Sequence, residues 1–170
     1  MMTDERQLIG KARQGVADAF CQLSSSYKGR LYRYAFYRLG DASDAEDAVS
    51  ECVLSAWRQI GSLRETDAFP AWIFRILSGC CGKLIKQQID QRLQVSLEED
   101  RPLQVSEHTD NWLILQEALG RLPEEERNIV LLSAVGGLKS REIADLTGKT
   151  PGSVRSSLSR SLAKVRGYLK

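Results

Sequence analysis

The sequence predicts an all-α protein: two small helical bundles joined by a flexible linker, the C-terminal one containing a helix-turn-helix. Three observations carry this prediction. Apolar residues recur at steps of three and four along most of the chain, and no stretch shows the alternation of a half-buried strand. Glycine and proline fall where such stretches must stop or start. The period then lapses over 90–110, which holds Glu98, Glu99, Asp100 and Pro102 among scattered polar residues, as a linker does. This divides the chain into domains over 1–89 and 111–170.

In order, Asp4–Gln14 is a short helix with Leu8, Ile9 and Ala12 apolar and Gly15 at its end. Ala17–Leu39 is a long helix on the repeat Phe20, Leu23, Tyr27, Leu31, Tyr34, Ala35 and Leu39, stopped by Gly40. Ser43 is expected to cap the next helix, Asp44–Ile60, whose stripe is Ala45, Ala48, Val49, Cys52, Val53, Ala56 and Trp57. Acidic Glu46 and Asp47 suit its first turn, where the helix dipole favours negative charge. A loop, Gly61–Asp67, leads to a fourth helix over Ala68–Gln88 with Trp72, Ile73, Ile76, Leu77, Cys80, Leu84 and Ile85 on its apolar side. Beyond the linker, Asn111–Leu122 is a helix, and Pro123 is expected at the first position of Glu124–Val135, which Gly136 and Gly137 end.

Gly137–Arg166 is the most informative stretch. Ser140–Leu146 forms a short helix with Ile143, Ala144 and Leu146 on one side, and Gly148 stops it because glycine enters the left-handed region without a Cβ penalty. Thr150 offers an N-cap oxygen and Pro151 fits the first position of a second helix. Val154, Leu158, Leu162, Val165 and Leu169 should face its core, and Ala144 and Gly148 should let the two helices cross closely. Arg155, Ser156, Ser159 and Arg160 point elsewhere. This is the layout of a helix-turn-helix, whose second helix enters the DNA major groove.

Charge agrees with that reading. From Lys149 onward the chain carries Lys149, Arg155, Arg160, Lys164, Arg166 and Lys170 without a carboxylate side chain, whereas Asp41–Glu51 holds Asp41, Asp44, Glu46, Asp47 and Glu51 without a base. The net charge of +2 over 170 residues points to no partner unaided, and the apolar and charged fractions, 42% and 27%, are those of an ordinary globular chain. The charged start lacks the apolar segment of a signal peptide, no run is seen to approach the roughly 20 apolar residues of a membrane span, and a cytoplasmic protein without membrane insertion is expected. Cys21, Cys52, Cys80, Cys81 and His108 have no zinc-ligand spacing, so reduced thiols and no metal or other cofactor are expected.

Several stretches together resemble bacterial RNA polymerase sigma factors of the sigma-70 family, extracytoplasmic-function group. These are Asp44–Glu51 running on to Ala56 and Trp57; Phe69-Pro70-Ala71-Trp72-Ile73-Phe74-Arg75-Ile76; and Leu122-Pro123-Glu124-Glu125-Glu126-Arg127 followed by Gly137–Arg160. Their order and spacing match that family over most of the chain. No autoinhibitory region is expected ahead of the first bundle, and the linker is too short for an extra middle domain.

The resemblance implies a sigma factor, not an enzyme, that docks on core polymerase, directs it to a two-part promoter and helps melt the downstream part. The clamp and flap regions of core polymerase, promoter DNA and an anti-sigma factor are the implied partners. Asp44, Glu46, Asp47 and Glu51 would meet the clamp; Asp44, Asp47 and Glu51 share a helix face whose self-repulsion a basic partner would relieve. Unpaired downstream DNA would be held by rings of Phe69, Trp72 and Phe74 beside the charges of Arg64, Arg75, Lys83 and Lys86, with Ser78 nearby and a base extruded into the Ser62–Ala68 loop. Trp72 is also expected to serve as a core residue, and the core is the alternative place for Phe69. Ser78 and Gly79 stand where the family has Arg-Asn, which weakens or alters that readout. Upstream, Ser153, Arg155, Ser156, Ser159 and Arg160 would touch bases and phosphates, while Lys149, Lys164 and Arg166 position phosphates. Ser157 replaces a common arginine, so one backbone contact is lost.

Two rivals have their own marks. A stand-alone helix-turn-helix regulator would bind duplex DNA as a dimer and protect a palindrome without polymerase. An enzyme would use Asp44, Asp47 and Glu51 as metal ligands or the Cys80-Cys81 pair as thiols, but a phosphate loop, a nearby histidine and a nucleophile motif are all missing.

Overall fold

The computed structural model describes residues 2–94 and 110–170. The described residues form eight α-helices and no strand: α1 (Met2–Arg13), α2 (Ala17–Leu39), α3 (Ala42–Gln59), α4 (Phe69–Gln94), α5 (Asp110–Gly120), α6 (Glu124–Ala134), α7 (Ser140–Thr147) and α8 (Pro151–Tyr168). The loop between α3 and α4 winds into two short 3-10 turns, Ile60–Ser62 and Thr66–Ala68. The linker expected over 90–110 falls mainly outside the described residues; α4 continues as helix to Gln94.

Helix α2 is the axis of the N-terminal bundle. Its predicted stripe is buried from Phe20 through Leu23, Tyr27 and Leu31 to Tyr34 and Ala35, against α1, α3 and α4. It stops where Gly40 turns left-handed at φ 75°, its N–H donating to the Phe36 carbonyl at 2.8 Å. Helix α3 starts one residue before Ser43: Asp41 is its N-cap, accepting from the Asp44 N–H at 2.9 Å, and Ser43 is exposed within the first turn. Both residues carry a capping oxygen, and the chain takes the one that follows Gly40 directly. Trp57 ends the α3 stripe at the surface, 36% exposed with its ring against Phe20.

The sequence around α4 does contain a segment, Thr66–Leu93, long and apolar enough to cross a membrane by length and composition, contrary to the expectation. Those apolar residues are used in packing: Phe69, Ile73, Phe74, Leu77, Cys80 and Cys81 are all buried in the bundle.

In the C-terminal bundle the predicted punctuation is present. Gly148 is left-handed at φ 75°, Thr150 accepts from the Ser153 N–H at 3.1 Å, and Pro151 opens α8. Gly148 serves backbone conformation only, since a Cβ there would meet nothing within 4 Å. Gly136 is the close-approach glycine: a Cβ would sit 2.7 Å from the Leu132 carbonyl oxygen and 2.8 Å from Leu138 Cδ1. Pro123 is the N-cap of α6 rather than its first residue, at ψ 149°. The buried side of α8 is rotated from the expected stripe, with Val154, Ser157, Ser161 and Val165 inside, Leu158 and Leu162 flanking, and Leu169 47% exposed. Serine fits there because α8 packs closely on α6 and α7, and Ser161 donates to Glu126 at 3.3 Å.

The two bundles are in contact. One buried apolar cluster runs from Ile9 to Val165 through both. The C-terminal end of α2 carries the junction. There Trp112 of α5 stacks on Tyr37 at 5.2 Å and leans on Phe36 at 5.5 Å, and Gln116 donates to the Gly40 carbonyl at 3.0 Å.

Candidate nucleic-acid and polymerase interfaces

The four acidic candidates of α3 do not share one surface. Asp44 accepts from Gln88 of α4 at 2.6 Å, and Glu51 pairs with Lys83 of α4 at 3.5 Å, so the Asp44–Asp47–Glu51 face lies along the edge of α4. Asp47 is exposed on that face. Glu46 turns the other way and lines a groove of about 570 Å³ between α2 and α3 with Lys28, Tyr32, Val49 and Ser50. Burial, with Glu46 and Asp41 adding to it, pushes the Tyr32 phenol up, so the groove presents a neutral hydroxyl.

The downstream candidates separate by burial. Phe69 is 0% exposed, set edge-on to Tyr27 at 5.1 Å and tilted against Trp72 at 5.8 Å. Phe74 is equally buried, edge-on to Tyr34 at 5.7 Å. Neither ring can stack on a base without unpacking the bundle, which corrects the stacking role expected of both and leaves Phe69 in its alternative place, the core. Trp72, expected in the core, is half-buried and lines a cleft of about 280 Å³ with Leu63, Ala68 and Arg75. Ser78 is turned inward and holds Arg38 instead of facing solvent. Arg64, Arg75, Lys83 and Lys86 are exposed. The far wall of the Trp72 cleft is not from this bundle: Glu142, Asp145 and Leu146 of α7 form it.

The recognition helix presents an open face. Ser153, Arg155, Ser156, Ser159 and Arg160 are all exposed on α8, while Ser157, read as the loss of a backbone contact, is buried. The two flanking lysines are held by α6: Lys149 pairs with Glu125 at 2.8 Å and Lys164 with Glu126 at 3.2 Å. Such exposed pairs contribute about 0.2–1 kcal/mol and yield readily to phosphate.

Sequence reasoning passed over Arg38. It is buried beneath the α2 end, and its side chain joins both bundles. Nη1 donates to the Ser78 carbonyl at 2.8 Å, to Ser78 Oγ at 3.1 Å and to the Tyr34 hydroxyl at 3.0 Å. Nε donates to Glu124 Oε1 of α6 at 2.9 Å, and Nη2 reaches the same oxygen at 2.8 Å. Burial pushes the Tyr34 phenol up to about 12 despite the lowering effect of Arg38. It therefore stays a neutral hydroxyl that accepts from Arg38 and donates to Asn128 of α6 at 2.5 Å. The only prior signal was an arginine one helical turn after Tyr34 on an apolar stripe.

The thiols divide as burial dictates. Cys21 is exposed; Cys52, Cys80 and Cys81 are buried and free. Burial pushes Cys81 up to about 12 and raises Cys52 and Cys80, which makes these three poor nucleophiles. Among the described residues no cluster of histidine, cysteine or carboxylate groups could hold a metal ion; His108 lies outside them.

Two family models match the chain, sigma-70 region 2 over residues 23–89 and sigma-70 region 4 over residues 112–165. The chain is also 30% identical to the ECF RNA polymerase sigma factor SigM of Mycobacterium tuberculosis (Erdman strain), over 96% of this chain and 85% of that protein. The chain belongs to the ECF RNA polymerase sigma factors.

This sigma factor is 31% identical to BldN of Streptomyces coelicolor, an ECF RNA polymerase sigma factor, over 96% of its own length and 65% of that relative's. Its fold matches that of CnrH, solved in complex with the cytosolic domain of CnrY, with a TM-score of 0.75 and 24% identity over 98% of this chain and 97% of that one. It also matches the sigma factor RpoE of Bartonella quintana, solved with the anti-sigma factor NepR, with a TM-score of 0.68 and 21% identity over 87% and 96%. In the sigma factor, the region 2 match runs from within α2 into α4 and includes Trp72 and Arg75, and the region 4 match contains α6, α7 and most of α8.

Proposed function

We propose that this sigma factor binds core RNA polymerase, brings it to a two-part promoter and assists melting of the downstream part, the phosphoryl transfer being left to the polymerase. The observation that carries the reading is the open face of α8, with Arg155, Ser156, Ser159 and Arg160 exposed behind a correctly capped start. Arginine can bond guanine O6 and N7 together, and serine adapts to several base edges. Residues 1–89 would dock on the clamp through Glu46, Asp47 and Glu51 and meet unpaired DNA through Trp72, Arg64, Arg75 and Lys83. Residues 111–170 would reach the polymerase flap and read the upstream element, with Ser153 at the base-reading end and Lys149 and Lys164 exchanging glutamate for phosphate. Two weak grips on one chain gain through effective concentration once polymerase sets their spacing.

The site of action is the cytoplasm, where polymerase and promoter are. An anti-sigma factor is the proposed regulator, supported by the likeness to a sigma factor solved with such a partner. Family membership disfavours the dimeric stand-alone regulator.

Run-off transcription tests this directly. Core polymerase stripped of sigma, mixed with the protein and a genomic template from its source, should yield discrete transcripts that depend on the protein. No transcripts and no complex with core would overturn the reading. Asp47→Lys should abolish co-purification with core while the circular dichroism spectrum is unchanged, and normal co-purification would remove the docking role.

A further inference from the structure

Helix α1 lies outside both family matches, and its contacts run to the loop ahead of α4. Its apolar residues Ile9 and Ala12 are buried in the N-terminal bundle. Two neighbouring polar residues, Glu5 and Arg6, reach outward from it. Arg6 Nη2 pairs at 2.9 Å with Oδ1 of Asp67, in the second 3-10 turn of the Ser62–Ala68 loop. Glu5 accepts from the hydroxyl of Tyr27 on α2. The Tyr27 ring meets Phe69, the first residue of α4, edge-on at 5.1 Å, and Phe69 leans on Trp72 at 5.8 Å. Burial and the Glu5 charge both raise the Tyr27 phenol, so it stays a neutral donor to that carboxylate. Helix α1 thus holds the loop at Asp67 and braces the residue on which α4 begins.

The backbone bonds of the loop are local. The Leu63 N–H donates to the Ile60 carbonyl at 3.1 Å and the Ala68 N–H to the Glu65 carbonyl at 3.2 Å, one bond for each 3-10 turn. Leu63 is buried, whereas Arg64 and Glu65 between the turns are exposed. Among the described residues, Arg6–Asp67 is the one ion pair that ties this loop to another element. A pocket that discriminates between bases must hold its groups to within about 0.5 Å, which two local turns do not ensure.

We propose that α1 is a positioning element for the Ser62–Ala68 loop, setting it through Arg6–Asp67 and Glu5–Tyr27–Phe69 where it reads a base extruded from the unpaired downstream element. This rests on the reading of that loop and Trp72 as the surface for unpaired promoter DNA. Glu5 and Arg6 touch no base; they act through Tyr27 and Asp67. An exposed ion pair adds little to stability, and the bundle is held by its apolar packing. The effect of Arg6 therefore falls on where the loop sits, and shows as base preference at one position.

The test uses holoenzyme assembled with the full chain, on promoters carrying each base in turn at every downstream position. Opening is read by 2-aminopurine placed beside the varied base. Arg64→Ala/Glu65→Ala, in the loop itself, marks the position that the loop reads. Arg6→Ala should flatten the preference at that same position by roughly two- to fivefold. Preference at other positions, upstream ones included, and the thermal midpoint should not change. Tyr27→Phe keeps the ring against Phe69, removes the bond to Glu5 and should flatten the same position. In an Asp67→Ala background Arg6→Ala should add nothing, because the two act as a pair; additive losses would strike that pair from the proposal. A variant of Arg6 or Tyr27 that leaves the preference intact strikes its own contact, and two intact preferences overturn the proposal. Equal losses at every position would make α1 merely structural and overturn it as well. If Arg64→Ala/Glu65→Ala flattens no position, the reading of the loop fails and the role of α1 falls with it; if it flattens one that Arg6→Ala and Tyr27→Phe leave alone, only the role of α1 fails.

Discussion

Helix α8 turns its proposed DNA face outward, with Arg155, Ser156, Ser159 and Arg160 all exposed, whereas α4 turns most of its own inward. Of the three rings that α4 could offer to unpaired bases, two are sealed in the core and only Trp72 reaches a surface. The difference follows from what each helix must do in its bundle. Helix α8 packs on α5, α6 and α7 along one side, so its polar side stays free. Helix α4 packs on both α2 and α3, and at its start it also meets α7, so few of its positions remain for a ligand. A helix that supplies the core and the binding surface together cannot have its aromatic residues sorted by periodicity.

The sharpest way to break this contrast is Phe69→Ala. A fully buried phenylalanine should cost about 3–5 kcal/mol of stability on truncation, read as a lower urea midpoint; an unchanged midpoint would return Phe69 to the DNA surface. Trp72→Ala should cost less stability and instead weaken promoter opening by about 1–3 kcal/mol, the range of one base–aromatic stack. Fluorescence of 2-aminopurine in the downstream element would report it, and normal opening would leave α4 without a stacking ring.

On α8, Arg155→Ala should cost about 1–3 kcal/mol at one promoter position and little elsewhere. Binding across a set of single-position promoter variants measures this, and uniform weakening would make Arg155 a phosphate contact. The smallest effect is expected for stability of Lys164→Ala, roughly 0.2–1 kcal/mol, since its pair with Glu126 is exposed. A larger loss of stability would mean that the α6–α8 pair is structural and not available for exchange with phosphate.

The helix-turn-helix was legible almost residue by residue. Its signals are local: a left-handed glycine, a threonine cap and a proline at the first helical position act within a few residues of one another, and the chain must satisfy them wherever the domain goes. The rotation of α8 was less legible. Ser157 and Ser161 are polar by type, and their burial reflects how closely α6 and α7 approach, a distance no single-helix pattern contains. In α3 the acidic residues were read as a face, and three of them do lie on one; Gln88 and Lys83 of α4 then engage two of those three, which needed the α3–α4 packing to see.

Helical content, the order of the helices and the capped turn before α8 were therefore available from the residues in one dimension, because they depend on backbone preference and on period, and the family was available through the resemblance of whole motifs. The roles of Phe69, Trp72 and Ser78, and above all of Arg38, were not. Each is decided by a partner far away in sequence: Tyr27 for Phe69, α7 for Trp72, and for Arg38 the carboxylate of Glu124 in the other bundle. A buried charge is stable only beside its counter-charge, and the chain brings those two residues together only by folding.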